Sequence, residues 1–264
     1  MSDRRKSSAL ALSLLALVVA VGVGLYSHFA PRPEMDDAAF GEKVRAYLLA
    51  NPTVLRDAMI AYSEQEENLA AAEREALLAQ FGDQLLNDGY SHVAGNPSGD
   101  VTIVEFFDYR CGYCKAAFPN LMKAIEEDGN TRLVLKELPI LGPGSTLAAQ
   151  AAIAAGQQGG YMALHNALME SRGELTMERI LNIATDAGLD PARLKADMGS
   201  ERTAEIITKN LMLSDALGIS GTPAFIIGNN FIPGAISLDE FREVIAYVRA
   251  QAAAKGTPPA GRAS

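Results

Sequence analysis

Thr102-Ile103-Val104-Glu105-Phe106-Phe107-Asp108-Tyr109-Arg110-Cys111-Gly112-Tyr113-Cys114-Lys115 runs from β-branched and aromatic residues, the composition of a strand, straight into a Cys-x-x-Cys pair. These are the only two cysteines in 264 residues. Two thiols at this spacing at a helix start close into a disulfide and exchange it with another. The same pair as half of a zinc site needs two further ligands, usually Cys or His at short spacing. The three histidines, His28, His92 and His165, are scattered and supply none. Redox chemistry is therefore the reading, and Asp108-Tyr109-Arg110 and Lys115 predict a strand end that opens to solvent.

Outward from the motif the pattern alternates. A strand at 101–107 is followed by a helix from Cys111 to about Glu127 and a strand over Arg132–Leu138. A mainly helical stretch runs from Ser145 to about Leu217. Ala224–Ile227 and Phe231–Ile232 predict a hairpin around Gly228-Asn229-Asn230, and Ser237 caps a last helix carrying Phe241, Val244, Ile245 and Val248. Gly89 to Gly99, rich in Gly, Asn, Pro and Ser, marks a domain boundary.

Before that boundary, residues 36–88 are helical throughout. Phe40, Val44, Tyr47 and Leu48 make a short stripe, and Asn51-Pro52 ends it with an N-cap and a proline suited to a first turn. The next helix, from Pro52 to near Asn87, is roughly 50 Å long at 1.5 Å per residue. Its stripe is Leu55, Met59, Tyr62, Leu69, Ala76, Leu77, Phe81 and Leu85, with Leu55, Tyr62, Leu69 and Ala76 seven apart. That seam predicts packing on copies of itself, although Glu66 and Glu73 occupy companion positions.

Arg4, Arg5 and Lys6 followed by apolar Ala9–Leu25 predict that 1–30 is an export signal or a membrane anchor. Pro31-Arg32-Pro33 reads as an extended linker and 255–264 as a disordered tail. The net charge of −9, with no basic run after the N-terminus, argues against nucleic acid.

The βαβ unit with Cys-x-x-Cys at its helix start, then a ββα unit entered by Thr222-Pro223, resembles the thioredoxin fold. The helical insertion between the halves resembles its DsbA branch. The expected architecture is thus α/β: a thioredoxin fold with a DsbA-type insertion over 90–254, preceded by an all-α stalk. The stalk, together with Phe106-Phe107-Asp108-Tyr109-Arg110-Cys111-Gly112-Tyr113-Cys114-Lys115, is similar to the ScsC and Com1-like group, in which such a stalk can trimerise the catalytic domains.

The resemblance implies that Cys111 is the exposed nucleophile and Cys114 the buried resolver, that Pro223 is cis and faces them, and that Glu105 is the buried acid beneath. Lys136 is implied as a partner of Glu105 in a proton relay. Gly112, Tyr113 and Thr222 contact substrate. Gly-Tyr between the cysteines and Thr before the proline are the combination of DsbC-type isomerases, where ordinary DsbA has Pro-His and Val. The implied activity is protein disulfide isomerase or reductase outside the cytosol. Its partners are proteins with disulfides or free cysteines and an electron-donating membrane thiol reductase of the DsbD/ScsB type, with a homotrimer favoured and no cofactor required. Two other readings stay open: a monomeric DsbA-like oxidase, and a copper(I) carrier, since paired thiolates bind soft metals.

Overall fold

The computed structural model describes residues 19–22, 25, 28 and 37–254. Most of the expected export segment, all of the 31–33 linker and the 255–264 tail lie outside the described residues. Among the described residues no helix is long and apolar enough to cross a membrane. The chain divides into two compact units between Glu67 and Asn68.

Among its described residues the first unit is helical apart from Asn51. It holds α1, Asp37–Ala50, and the front of α2, Pro52–Gln80. Proline opens α2 as expected, but Asn51 does not cap it. Its amide donates back to the Tyr47 carbonyl at 2.9 Å, closing α1 instead. No residue of α1 is buried, and Tyr47, Leu55, Met59 and Tyr62 are all exposed.

In the second unit α2 stops at Gln80, short of the expected Asn87. Phe81 makes a turn before α3, Gly82–Leu86. Leu85, placed by its spacing on a stalk stripe, is buried instead, together with Leu78, against Val104, Phe106 and Val134 of the sheet. The sheet has the order β1-β3-β2-β4-β5, from His92–Gly95, Val101–Phe107, Thr131–Glu137, Ala224–Ile227 and Asn230–Pro233. β2 and β3 run parallel, while β1, β4 and β5 each pair antiparallel with a neighbour.

β1 lies inside the stretch read as a domain boundary. Of its four residues only Val93 has strong β preference, too little for a periodic signal, and the strand exists because the free edge of β3 receives it. At its end Gly95 has φ +67°, and a Cβ there would meet the Thr131 carbonyl at 2.5 Å. Between β2 and β3 lies α4, Gly112–Asp128. Five insertion helices then follow: α5 Pro143–Gly156, α6 Tyr161–Glu170, α7 Met177–Asp186, α8 Pro191–Met198 and α9 Glu201–Ala216. The last helix, α10, is Leu238–Ala254, and Ser237 with Glu240 forms its reciprocal cap. This is the thioredoxin fold with a helical insertion.

Alternation along the strands gives the sheet two buried faces. Ile103, Phe107, Leu133, Leu135 and Phe225 meet α4, α10 and the insertion, and Val104, Phe106, Val134 and Ile226 face the other way. This parity overturns one expectation. Glu105 is in register with Leu135, whereas Lys136 pairs with Phe106 and points to the opposite face. Lys136 therefore does not partner Glu105. Its ammonium forms an ion pair with Asp88 and donates to the Gln84 carbonyl at 2.6 Å. Burial opposes ionisation of Asp88, but hydrogen bonds from Lys136 and Ser91 hold its carboxyl below the usual value.

With side chains only 0% and 5% exposed, this pair fastens the α3–β1 connection to the sheet. Lys136→Met leaves a buried carboxylate unpaired and is expected to cost about 3–5 kcal/mol of stability. Urea unfolding checks it. A loss under about 1 kcal/mol, the size of a surface pair, would show that the pair is solvated.

Candidate active site

The site forms where β2 ends and α4 begins. Cys111 is the N-cap of α4, its Sγ accepting from the Cys114 amide at 3.4 Å, and the thiol donates to the Thr222 carbonyl at 3.1 Å. Both cysteines are free thiols. Only 7% of Cys111 is exposed and none of Cys114, one helical turn deeper. Burial pushes the Cys114 thiol far up, and the Glu105 and Cys111 charges add to this.

Across from the thiols the Thr222–Pro223 peptide is cis, with Pro223 buried and Thr222 half-buried. Gly112 is exposed, and Tyr113 stands 72% exposed beside Cys111. Glu105, Cys111, Cys114, Thr222 and Pro223 thus lie together with Gly112 and Tyr113 on the rim, while Lys136 lies behind the sheet. Among the described residues no group of three or more His, Cys, Asp or Glu is placed to hold a metal.

The residues flanking the motif depart from expectation. Asp108 and Tyr109 are each 1% exposed, so only Arg110 meets solvent. The Asp108 carboxylate accepts from the Arg110 amide at 2.7 Å, the Ile140 and Leu141 amides at 2.9 and 3.0 Å, and the Ser145 hydroxyl at 2.7 Å. It joins the dithiol loop to the β3–α5 connection and presents the half-exposed Ile140 and Leu141. An aspartate between a buried strand and a helix start, with nothing local to solvate it, was the available sign. Lys115 is also spent internally, capping the end of α6 through the carbonyls of Leu168, Met169 and Ser171 at 2.5, 3.2 and 2.8 Å.

Glu105 is fully buried, and neither carboxylate oxygen has a side-chain or backbone partner. Burial pushes its carboxyl up to about 8 from 4.5. A raised acid contributes stability that is complete below pH 4.5 and lost as pH climbs through about 8. Glu105→Gln is expected to flatten that decline, so the variant gains stability over wild type most at pH 8. It should also slow the step in which Cys114 gives up its proton. Stopped-flow exchange with a peptide disulfide from pH 5 to 9 checks this: an unchanged rate profile removes Glu105 from proton transfer.

A pair of thiols, one at the surface and one sealed behind it, gives up two electrons by closing on itself, and a carboxyl behind the sealed thiol suits proton exchange. That defines a thioredoxin-fold thiol–disulfide oxidoreductase. Residues 102–246 match the DSBA-like thioredoxin domain, and the chain belongs to that family. Residues 36–68 match the N-terminal domain of the copper resistance protein ScsC, ending at the division between the two units.

Among solved structures, a thioredoxin-like oxidoreductase from Silicibacter pomeroyi is 42% identical, with a TM-score of 0.62 over 64% of this chain and 97% of that one. A linker-deletion variant of Proteus mirabilis ScsC is 28% identical, with a TM-score of 0.65 over 84% and 99%. A curated Na(+)/H(+) antiporter, NhaA 1 of Salinispora arenicola, is 32% identical over 150 residues, which are 56% of this chain and 23% of the antiporter. The chain thus spans about a quarter of the length of the antiporters it matches.

Proposed function

We propose that this chain is an exported protein disulfide isomerase and reductase of the periplasm, assembled through its N-terminal helices into an oligomer, by resemblance a trimer. The observation that carries the reading is the union in one chain of a Cys-x-x-Cys pair at a helix start, its first cysteine narrowly exposed, with a helical unit whose apolar stripe none of the described residues buries. The stripe is the seam that a second and third copy would cover. The match of 36–68 to the ScsC N-terminal domain supports it.

In the proposed cycle the Cys111 thiolate attacks one sulfur of a substrate disulfide. A mixed disulfide forms and the second substrate sulfur leaves as thiolate. That thiolate attacks another substrate disulfide, and the thiolate it displaces attacks the substrate sulfur held by Cys111, which frees the Cys111 thiolate: a net isomerisation with no change in electron count. When rearrangement fails, Cys114 passes its proton to Glu105 and attacks the Cys111 sulfur. The substrate departs with two electrons and Cys111–Cys114 closes. A membrane thiol reductase of the DsbD/ScsB type then restores the dithiol. Tyr113, Ile140 and Leu141 would meet apolar substrate side chains, and the Thr222-Pro223 loop its extended backbone.

The test is reactivation of a scrambled multi-disulfide protein by reduced residues 37–254, compared with residues 68–254. Reactivation by the longer chain alone is expected. Oxidation of a reduced substrate with no reactivation of the scrambled one, by either chain, would make it a dithiol oxidase.

A further inference from the structure

Behind the dithiol loop lies a sealed polar cluster that thiol exchange does not use. Glu137 ends β3, Tyr109 lies two residues before Cys111, Tyr161 and His165 come from α6, and Asn210 comes from α9. All five are nearly or fully buried. The hydroxyls of Tyr109 and Tyr161 both donate to Oε1 of Glu137, at 3.0 and 2.7 Å. Having given its one proton away, Tyr109 accepts from Nδ1 of His165 at 2.9 Å. The Asn210 amide donates to the Glu137 backbone carbonyl at 3.1 Å. Burial raises the Glu137 carboxyl well above the usual range and lowers His165 to about 3, so burial favours the neutral form of each.

We propose that Tyr109, held by Glu137 and His165, is a positioning residue that selectively stabilises the dithiol form of the active site. It rests on dithiol exchange alone and holds whichever direction the enzyme works in. The chain from Tyr109 to the thiols is short and stiff. The Cys111 amide donates to the Asp108 carbonyl at 3.0 Å, and the next contacts are those of the Cys111 sulfur with the Cys114 amide and the Thr222 carbonyl. Both sulfur contacts belong to a free thiol acting as N-cap. When Cys111 and Cys114 each lose a proton and an electron to form the disulfide, the Cys111 sulfur must swing to bond Cys114, and the thiol's donation to Thr222 ends. A side chain pinned by two buried hydrogen bonds resists any shift of residues 108–111 that this swing demands. The pinning therefore favours the dithiol over the disulfide, rather than the folded state in general.

The experiment is equilibration of the full chain with reduced and oxidised glutathione. Tyr109→Phe is expected to move the equilibrium about two- to tenfold towards the disulfide, the span of one lost hydrogen bond. Glu137→Met, which removes the acceptor at similar volume, should shift it the same way and serves if Tyr109→Phe does not fold. Glu137→Gln is neutral and still accepts from both tyrosines, so it should stay close to wild type. Tyr161→Phe, which leaves the bonds of Tyr109 to Glu137 and His165 in place, should lower the stability of both redox forms and leave the equilibrium alone. Equal destabilisation of both forms by Tyr109→Phe, with an unmoved equilibrium, overturns the proposal. So does a Tyr161→Phe shift as large as that of Tyr109→Phe.

Discussion

Replacing Cys114 with alanine is expected to turn the protein into a trap that accumulates mixed disulfides through Cys111, while Cys111→Ala lowers exchange to the uncatalysed background. Cys111 is the more accessible of the two, 7% exposed against none, and has the helix start and the facing carbonyl of Thr222. Cys114 is wholly buried, its thiol driven up by burial and by the charges of Glu105 and Cys111. The thiolate is the attacking species, so an incoming disulfide meets a nucleophile only at Cys111. Cys114 acts later, on a sulfur already delivered to it one helical turn away. Without Cys114 the second step has no nucleophile within the protein, and the mixed disulfide persists until an external thiol cleaves it. Mass spectrometry after incubation with a disulfide-linked peptide distinguishes the roles. Peptide adducts on Cys114 in Cys111→Ala, with none on Cys111 in Cys114→Ala, would reverse the assignment.

The central strand, the redox helix and the terminal hairpin with its helix were legible because each carries its own local signal. Val101–Phe107 is apolar on both faces, Cys111 is a natural break, and Gly228 supplies the turn. Fold and redox class followed from that grammar. What was not legible depends on which strands become neighbours. Lys136 and Glu105 lie on adjacent strands, and only the register, Glu105 opposite Leu135, reveals that they face apart. A one-residue difference in parity reverses the side on which a residue acts.

The same holds for the polar residues around the motif. Asp108 and Tyr109 read as a solvated strand end because most charged and hydroxylated residues are exposed. Their partners, at Ile140, Leu141, Ser145, Glu137 and His165, lie 28 to 56 positions away and leave no local trace. Phe81 and Leu85 keep helical spacing with the stalk stripe, yet they pack on the sheet-facing core, because helix periodicity records a buried face and not what buries it.

That last point fixes where the stalk can be cut. Deletion through residue 87 would remove Leu78 and Leu85 from the sheet-facing core and the Gln84 carbonyl from Lys136, so a lost activity would report only misfolding. Deletion of 36–67 follows the division between the units and leaves that core intact. The expected product is a folded monomer that keeps dithiol exchange with a small peptide and loses most reactivation of scrambled protein. The physical ground is the stripe of Tyr47, Leu55, Met59 and Tyr62, each about half exposed or more, which gains from burial at roughly 25 cal/mol per Å² only when another copy supplies the surface. In the proposed trimer three dithiols would hold one misfolded chain at high effective concentration, so that a released substrate thiol would meet another Cys111 before it diffused away. The same crowding keeps a bulky oxidising partner from Cys111, and the monomer should therefore oxidise reduced substrates faster than the intact protein. Sedimentation of residues 37–254 at tens of micromolar, beside the reactivation rate of both forms, is the measurement. A monomeric intact chain whose reactivation rate survives the deletion would leave these helices without a part in catalysis.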